Sequence, residues 1–306
     1  MTYSEIWHRI ATSYDDGEAR AIARILIEEL FGLSYADIVC GATDQLSADD
    51  TLRLDTAIRR IEQGEPLQHV LGYADFCGNR FCVNGSVLIP RPETEWLVDE
   101  GAKLMDGCIA SDETQHKAPH SPKRILDIGT GSGCIAISLK LRLGDAYVEA
   151  WDISEEALRT AQDNADALKA EVVFRKRDAL RADNTAAPWD LIVSNPPYIC
   201  NSERSAMDDN VLLHEPHTAL FVPDDDPLRF YRAIARYALL TLNIGGSLLF
   251  ECNTRYAEAT GTMLRDMGFE EVTVSDDCFN LPRFVRGSSP SQPAAPPNPP
   301  RRGGLS

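Results

Sequence analysis

The stretch RILDIGTGSG, Arg124–Gly133, decides the fold. Its first half is a short apolar run, and Gly129, Gly131 and Gly133 carry it into CIAISLKLRLG, which patterns as a helix. Strand, glycine turn and helix in that order begin a β-α-β unit. The texture continues downstream. AYVEAWD, EVVFRKRD, WDLIVSN and GGSLLFECN read as strands, interleaved with the helical stretches SEEALRTAQDNADALK and PLRFYRAIARYALLTL. Alternation of this kind predicts an α/β fold, a parallel sheet covered by helices on both faces. FEEVTVSDD and PRFVRG add two terminal strands, expected to pair antiparallel at the edge and bring the sheet to seven.

Upstream the chain changes character. EARAIARILIEELFG sets Ala19, Ile22, Ala23, Leu26 and Leu30 on one stripe, the mark of a helix with one buried face. SADDTLRLDTAIRRIEQGEP repeats the pattern, with Ser47 as N-cap and Gly64 and Pro66 as the stop. Residues 1–67 are therefore expected to form a small, acidic all-α domain. HVLGYADFCGNRFCVNG predicts two short strands about Gly78-Asn79, making residues 68–91 a β-hairpin linker. A helix opens near Pro92, where a missing N–H is harmless, and the α/β domain spans 92–286. GCIASDETQHKAPHSP, about Gly107–Pro122, reads as a surface loop. Residues 287–306 are rich in Pro, Ser and Gly and are expected to be disordered.

The totals narrow the class. Apolar and charged fractions of 43% and 25% are those of an ordinary soluble protein. The N-terminus lacks the pattern of a signal peptide and no apolar run is long enough to span a bilayer, so a cytoplasmic protein without membrane contact is expected. The eight cysteines form no C-x-x-C pair, and Cys77 and Cys82, across the hairpin, are not expected to form a disulfide; no metal site is predicted. A net charge of −17 without a basic run argues against a direct nucleic-acid binder and suits a protein partner.

The glycine loop alone fits either a nucleotide-like ligand or tight strand–helix packing. Its surroundings add acids at regular places: Asp127 before the loop, Asp152 closing the next strand, and Asp178 closing the third, beside Ala179. Asp152 stands where a carboxylate takes both ribose hydroxyls of an adenosine ligand. Asp127 would repel a pyrophosphate but suits a cofactor carrying an ammonium and a sulfonium. The G-x-G-x-G spacing also departs from the dinucleotide fingerprint. The set predicts S-adenosylmethionine, contacted by Asp127, Gly129, Thr130, Gly131, Ser132, Gly133, Asp152, Asp178, Ala179 and Asn195.

VSNPPYI, Val193–Ile199, follows the fourth strand and so lies at the carboxyl edge of the sheet, beside that loop. Each residue before a proline is pushed into extended conformation, and Pro197 has no N–H to engage a nearby carbonyl. The Asn195 side-chain oxygen and the Pro196 carbonyl can then aim at one planar –NH₂ group, which offers two donors. Asn195, Pro196, Pro197 and Tyr198 are the predicted catalytic and substrate-binding residues, Tyr198 packing on a flat substrate. A bare proline turn is the competing reading. The motif by itself does not choose between an adenine amine and a side-chain amide.

With GEPLQHVLG, LIPRPETE, RILDIGTGSG, VSNPPYI and HEPHTAL together, the chain resembles the peptide chain release factor glutamine methyltransferases. The resemblance covers the chain to about Arg286. It implies a Rossmann-like, seven-stranded class I methyltransferase domain behind an N-terminal domain that recognises the substrate. The implied reaction methylates N5 of the glutamine in the Gly-Gly-Gln motif of release factors, leaving S-adenosyl-L-homocysteine. Arg91 and Glu93 lie in a family-like loop, expected either to help close the pocket or to pair as a cap on the next helix. His214 stands where the family carries Phe or Tyr. A monomer is expected. The alternatives are an adenine-N6 nucleic-acid methyltransferase and a non-catalytic protein using the same fold to bind.

Overall fold

The computed structural model describes residues 1–110, 121–182 and 188–291. The helical N-terminus comprises α1 (Tyr3–Ile10), α2 (Asp16–Phe31), α3 (Tyr35–Val39), α4 (Ala48–Glu62) and α5 (Leu67–Leu71). Thr2, Asp15, Ser34 and Ser47 cap the first four, each side chain accepting a backbone N–H of the first turn. Of the predicted stripe of α2, Ala19, Ile22, Ala23 and Leu26 are buried with Ile6, Ile10, Leu54, Ile58 and Ile61, and Leu30 is partly buried, in a core separate from that of the sheet. Arg9 ties α1 to α4 through Asp55 at 2.7 Å and Glu62 at 2.8 Å.

The hairpin joins β1 (Tyr73–Phe76) to β2 (Asn79–Cys82), with Phe76 opposite Asn79. The two-residue turn is therefore Cys77-Gly78, one position before the expected site. Both have positive φ, 48° and 74°, as a tight hairpin twisting with its strands requires. Cys77 and Cys82 are free thiols.

The main sheet contains β3 (Arg124–Ile128), β4 (Tyr147–Asp152), β5 (Val172–Lys176) and β6 (Trp189–Ser194). Two-residue strands β7 (Ile199–Cys200) and β8 (Phe221–Val222) form a separate parallel pair. β9 (Leu242–Glu251), β10 (Glu270–Asp276) and β11 (Pro282–Ser288) complete the seven, in the order β10-β11-β9-β6-β3-β4-β5. β3, β4, β5, β6 and β9 are parallel, and β11 runs antiparallel to both β9 and β10. β11 thus lies inside the edge strand.

Alternate residues face opposite layers. Ile125, Leu191, Val193 and Leu249 pack beneath α6 (Glu95–Ala110) and α7 (Cys134–Leu143), with α8 (Glu155–Leu168) alongside. Leu126, Ile192, Leu248 and Phe250 face α11 (Arg229–Thr241) and α12 (Ala257–Asp266). The short helices α9 (Asp209–His214) and α10 (His217–Leu220) lie between β7 and β8.

Two expectations are corrected. α6 runs through Gly107 to Ala110, so the loop begins later; a glycine inside a packed helix costs only about 1 kcal/mol relative to alanine. The remainder of that expected loop, 111–120, lies outside the described residues. The expected disorder from 287 also begins too early. Gly287 and Ser288 pair with Leu248 and Ser247, and the Ser289 amide donates to Gly246 at 2.7 Å. Backbone pairing needs no apolar side chain, so composition missed it. Residues 292–306 of the tail lie outside the described residues.

Candidate active site

The strand order reverses at β3: β4 and β5 lie on one side of it and β6 on the other. A crevice opens there beyond the carboxyl ends of the strands, a cavity of ≈ 360 Å³. One wall carries Gly129, Thr130, Gly131, Ser132, Asp152, Asp178 and Ala179; Asn195, Pro196 and Pro197 form another; Arg91 and Thr94 border it. The structure thus brings most of the sequence-predicted residues to one cavity. Asp127, Gly133, Tyr198 and Glu93 are not on its lining.

The glycine loop is held by strand ends. The amides of Gly129 and Thr130 both donate to the Trp151 carbonyl, at 2.8 and 2.9 Å. Asp152 accepts the Gly131 amide on one oxygen and the Ser154 amide on the other, each at 2.9 Å. Burial raises the Asp152 carboxyl, and these backbone amides oppose the rise. Gly131 has φ +55° with open space where a Cβ would stand, so its backbone can meet a ligand closely. Gly133 does different work. A Cβ there would lie 2.9 Å from Ile137 Cδ1 and 3.1 Å from Ala161 Cβ, so it permits α7 and α8 to pack.

Asp127 sits behind the loop, fully buried. Its Oδ2 accepts the Thr130 hydroxyl at 2.6 Å, while Oδ1 makes no well-formed hydrogen bond among the described residues, the Ala136 amide lying near the carboxyl. Burial pushes this carboxyl up to about 7 despite the Thr130 bond. Ser132 Oγ is buried on the cavity wall beside the Cys134 thiol, with no well-formed hydrogen bond among the described residues. The Ser132 hydroxyl on the cavity wall and the open backbone at Gly131, with the Asp127 carboxyl behind the loop, fit the amino-acid end of the expected cofactor. Asp178 instead caps the turn Ala179–Arg181, accepting the Leu180 amide at 2.9 Å, with Ala179 beside it on the lining.

At the reactive end, Ser194 Oγ donates to the Ile128 carbonyl at 2.6 Å and locks β6 to β3 just before Asn195. Tyr198 departs from expectation: its ring packs in the core under α11 and its hydroxyl points to Glu251 Oε1 at 3.3 Å. Glu251, at the end of β9, is 2% exposed and also accepts the Thr94 hydroxyl, at 2.7 Å. Burial raises its carboxyl, while the two hydroxyl donors and nearby Arg283 oppose the rise. Thr94 in turn faces Asn195, whose Nδ2 lies 3.4 Å from Thr94 Oγ1.

Arg91 pairs with Glu215 at 2.6 Å rather than with Glu93, and Glu215 also accepts the Ile89 amide at 3.3 Å. This bond clasps IPRPETE to HEPHTAL across the cavity mouth. His214 lies outside the cavity with Nε2 turned toward Gly64 of the helical region, so it does no packing on the lining. Sequence reasoning did not single out Thr94, Glu251 or Asn164. Asn164 of α8 bonds both the amide and carbonyl of Cys82 and the carbonyl of Ser132, joining hairpin to glycine loop. Glu251 carried a usable signal, because it closes a strand as Asp152 does.

Comparison with known proteins agrees with this geometry. The Methyltransferase small domain family matches residues 96–220, and the PrmC N-terminal domain family matches residues 8–72. The release factor glutamine methyltransferase of Bacteroides thetaiotaomicron is 44% identical over 89% of this chain and 93% of its own length. That of Flavobacterium psychrophilum is 36% identical over 90% and 94%. Among solved structures, the hMettl16 catalytic domain in complex with MAT2A 3′UTR hairpin 6 superposes with a TM-score of 0.51. It is 17% identical, over 82% of this chain and 84% of that one, and shows the fold alone. Sheet, cavity and family matches define a Rossmann-like methyltransferase behind a helical N-terminal domain. Within that class, the chain belongs to the release factor glutamine methyltransferase family. The relatives favour neither the nucleic-acid adenine reading nor the non-catalytic one.

Proposed function

We propose that this enzyme methylates N5 of the glutamine in the Gly-Gly-Gln motif of peptide chain release factors, with S-adenosylmethionine as donor. When bound, S-adenosylmethionine supplies an electrophilic methyl group carried on a sulfonium. In this reading Gly129–Ser132 hold its methionine part, with Asp127 acting from behind the loop and Gly133 keeping the loop's shape. Asp152 takes the ribose, and Asp178 with Ala179 borders the adenine.

The substrate end rests on Asn195. Its side-chain oxygen and the Pro196 carbonyl accept the two amide protons of glutamine, fixing the plane of a nitrogen whose lone pair is otherwise delocalised. Orientation and polarisation of the N–H bonds supply most of the catalysis. Once nitrogen carries the methyl group its extra proton is strongly acidic and is lost to solvent, so no strong base is required. Pro197 keeps both acceptors free by having no N–H. Tyr198 supports the segment from below, and Arg91 steadies the mouth through Glu215; no role is assigned to Glu93.

The helical domain, residues 1–67, is the proposed docking site for the release factor, with 68–91 linking it to the catalytic domain 92–286. The enzyme is proposed to act as a cytoplasmic monomer without direct nucleic-acid contact. No described helix is long and apolar enough to cross a membrane.

The observation carrying this reading is that Asn195-Pro196-Pro197 shares one cavity with the glycine loop and Asp152. The test supplies labelled cofactor with a release factor or with duplex DNA, followed by mass spectrometry of the Gly-Gly-Gln peptide. A single added methyl on glutamine is expected, with Asn195→Ala reducing the rate by at least about 100-fold. Label entering only DNA would refute it.

A further inference from the structure

We infer that Thr94 and Glu251 form a positioning relay that sets which end of the Asn195 amide faces the cavity. The inference rests on the proposed role of Asn195 as an acceptor for the substrate amide. An asparagine side chain is nearly symmetric in shape, so packing alone does not distinguish its oxygen from its nitrogen. A wrong orientation would present –NH₂ to the –NH₂ of the glutamine, donor against donor. Something must select the orientation before substrate arrives.

The selection follows from proton direction. The relay needs Glu251 ionised, the form that its two hydroxyl donors and nearby Arg283 favour against burial, and in that form it can only accept. Its Oε2 takes the one proton of Thr94, at 2.7 Å, and its Oε1 takes the Tyr198 hydroxyl, at 3.3 Å. Thr94 Oγ1, having given its proton away, has only lone pairs left to offer Asn195. The group 3.4 Å from it is Asn195 Nδ2, a donor. Reversing Asn195 would set two oxygens against each other with no proton between them. Oδ1 is thereby left for the cavity that Asn195 lines. Thr94 and Glu251 are 3% and 2% exposed, so water does not readily replace either partner. Tyr198 has a place in the same chain: its hydroxyl occupies the second oxygen of Glu251 and leaves the first to Thr94.

Thr94 and Glu251 are positioning residues, acting through Asn195. The test compares full-length wild type with Thr94→Val, which keeps the shape but removes the hydroxyl, and with Thr94→Ser, which restores it. Thr94→Val should lower kcat on the release factor on the order of 10- to 100-fold, the loss expected when a reacting group is misplaced. Cofactor Kd should stay within about twofold, and Thr94→Ser should return kcat to within about threefold of wild type. Independently of activity, NMR of the selectively labelled Asn195 amide should give one signal pair in wild type and Thr94→Ser. In Thr94→Val that pair should broaden or double.

Wild-type kcat in Thr94→Val, a loss that serine does not rescue, or an unchanged Asn195 signal would overturn the relay. If wild type fails to methylate a release factor, the proposed substrate falls; the NMR comparison still decides the relay.

Discussion

Asp127 holds a carboxyl where no water reaches it, and its proton affinity follows from that. In the folded protein it keeps its proton up to about pH 7, against 3.8 when unfolded. Between those values the folded state binds more protons than the unfolded one, so stability falls as pH rises through the window. The penalty is absent below about 3.8, complete above about 7, and amounts to at most about 4 kcal/mol. Asp127→Asn should flatten this part of the stability–pH curve in denaturant titrations, and an unchanged slope would contradict the assignment. The clasp at the cavity mouth makes a directional prediction of the same kind. The Glu215 side chain is fully buried, whereas Arg91 is 37% exposed. Removing the arginine strands a buried charge, so Arg91→Ala should destabilise by about 3 kcal/mol. Glu215→Gln strands no buried charge and keeps one oxygen for Arg91, losing only the long bond from the Ile89 amide, and should cost about 1 kcal/mol. Equal losses by thermal denaturation would exclude this account.

Elements declare themselves in sequence when their signal is local. β3, β4 and β6 are short, mostly apolar runs, Ser47 precedes the helix it caps, and the glycine loop and VSNPPYI each lie within a few residues. Those features were legible, and with them most of the cavity wall. β7 and β8, two residues each, were not, because no periodicity exists over such a length. Nor was the company of Asn195: Thr94 and Glu251 lie 101 and 56 positions away in the chain, and only strand order brings them together. The three glycines of the loop look equivalent in sequence and are not. At Gly131 a Cβ would meet nothing, so alanine should cost only the about 1–2 kcal/mol of left-handed backbone. At Gly133, with φ +81°, the same backbone strain is joined by collision with Ile137 and Ala161, adding about 1–3 kcal/mol. Chemical denaturation of the two alanine variants should rank Gly133→Ala as clearly the less stable; the reverse order would refute the division of labour.

At the scale of the whole molecule, the net charge of −17 predicts an ionic-strength effect on the encounter with a protein carrying positive surface. Salt from about 0.01 M to about 1 M shortens screening from about 30 Å to about 3 Å. kcat/KM for the release factor should fall across that range while kcat holds, as measured by initial rates; a flat kcat/KM would remove long-range attraction from the account. Charge was fully legible in the sequence, but the path of the chain through the sheet was not. Pro282–Ser288 does not extend the sheet at its rim; it fills the place between β9 and β10. Until that segment arrives, β10 has no neighbour and β9 presents an open row of backbone donors and acceptors, a template for aggregation. A nascent chain interrupted before Pro282 would carry two such edges at once. Completion of the catalytic domain must therefore wait until the ribosome has passed residue 288. An enzyme whose proposed substrate ends protein synthesis would owe its own maturation to a late step of the same process.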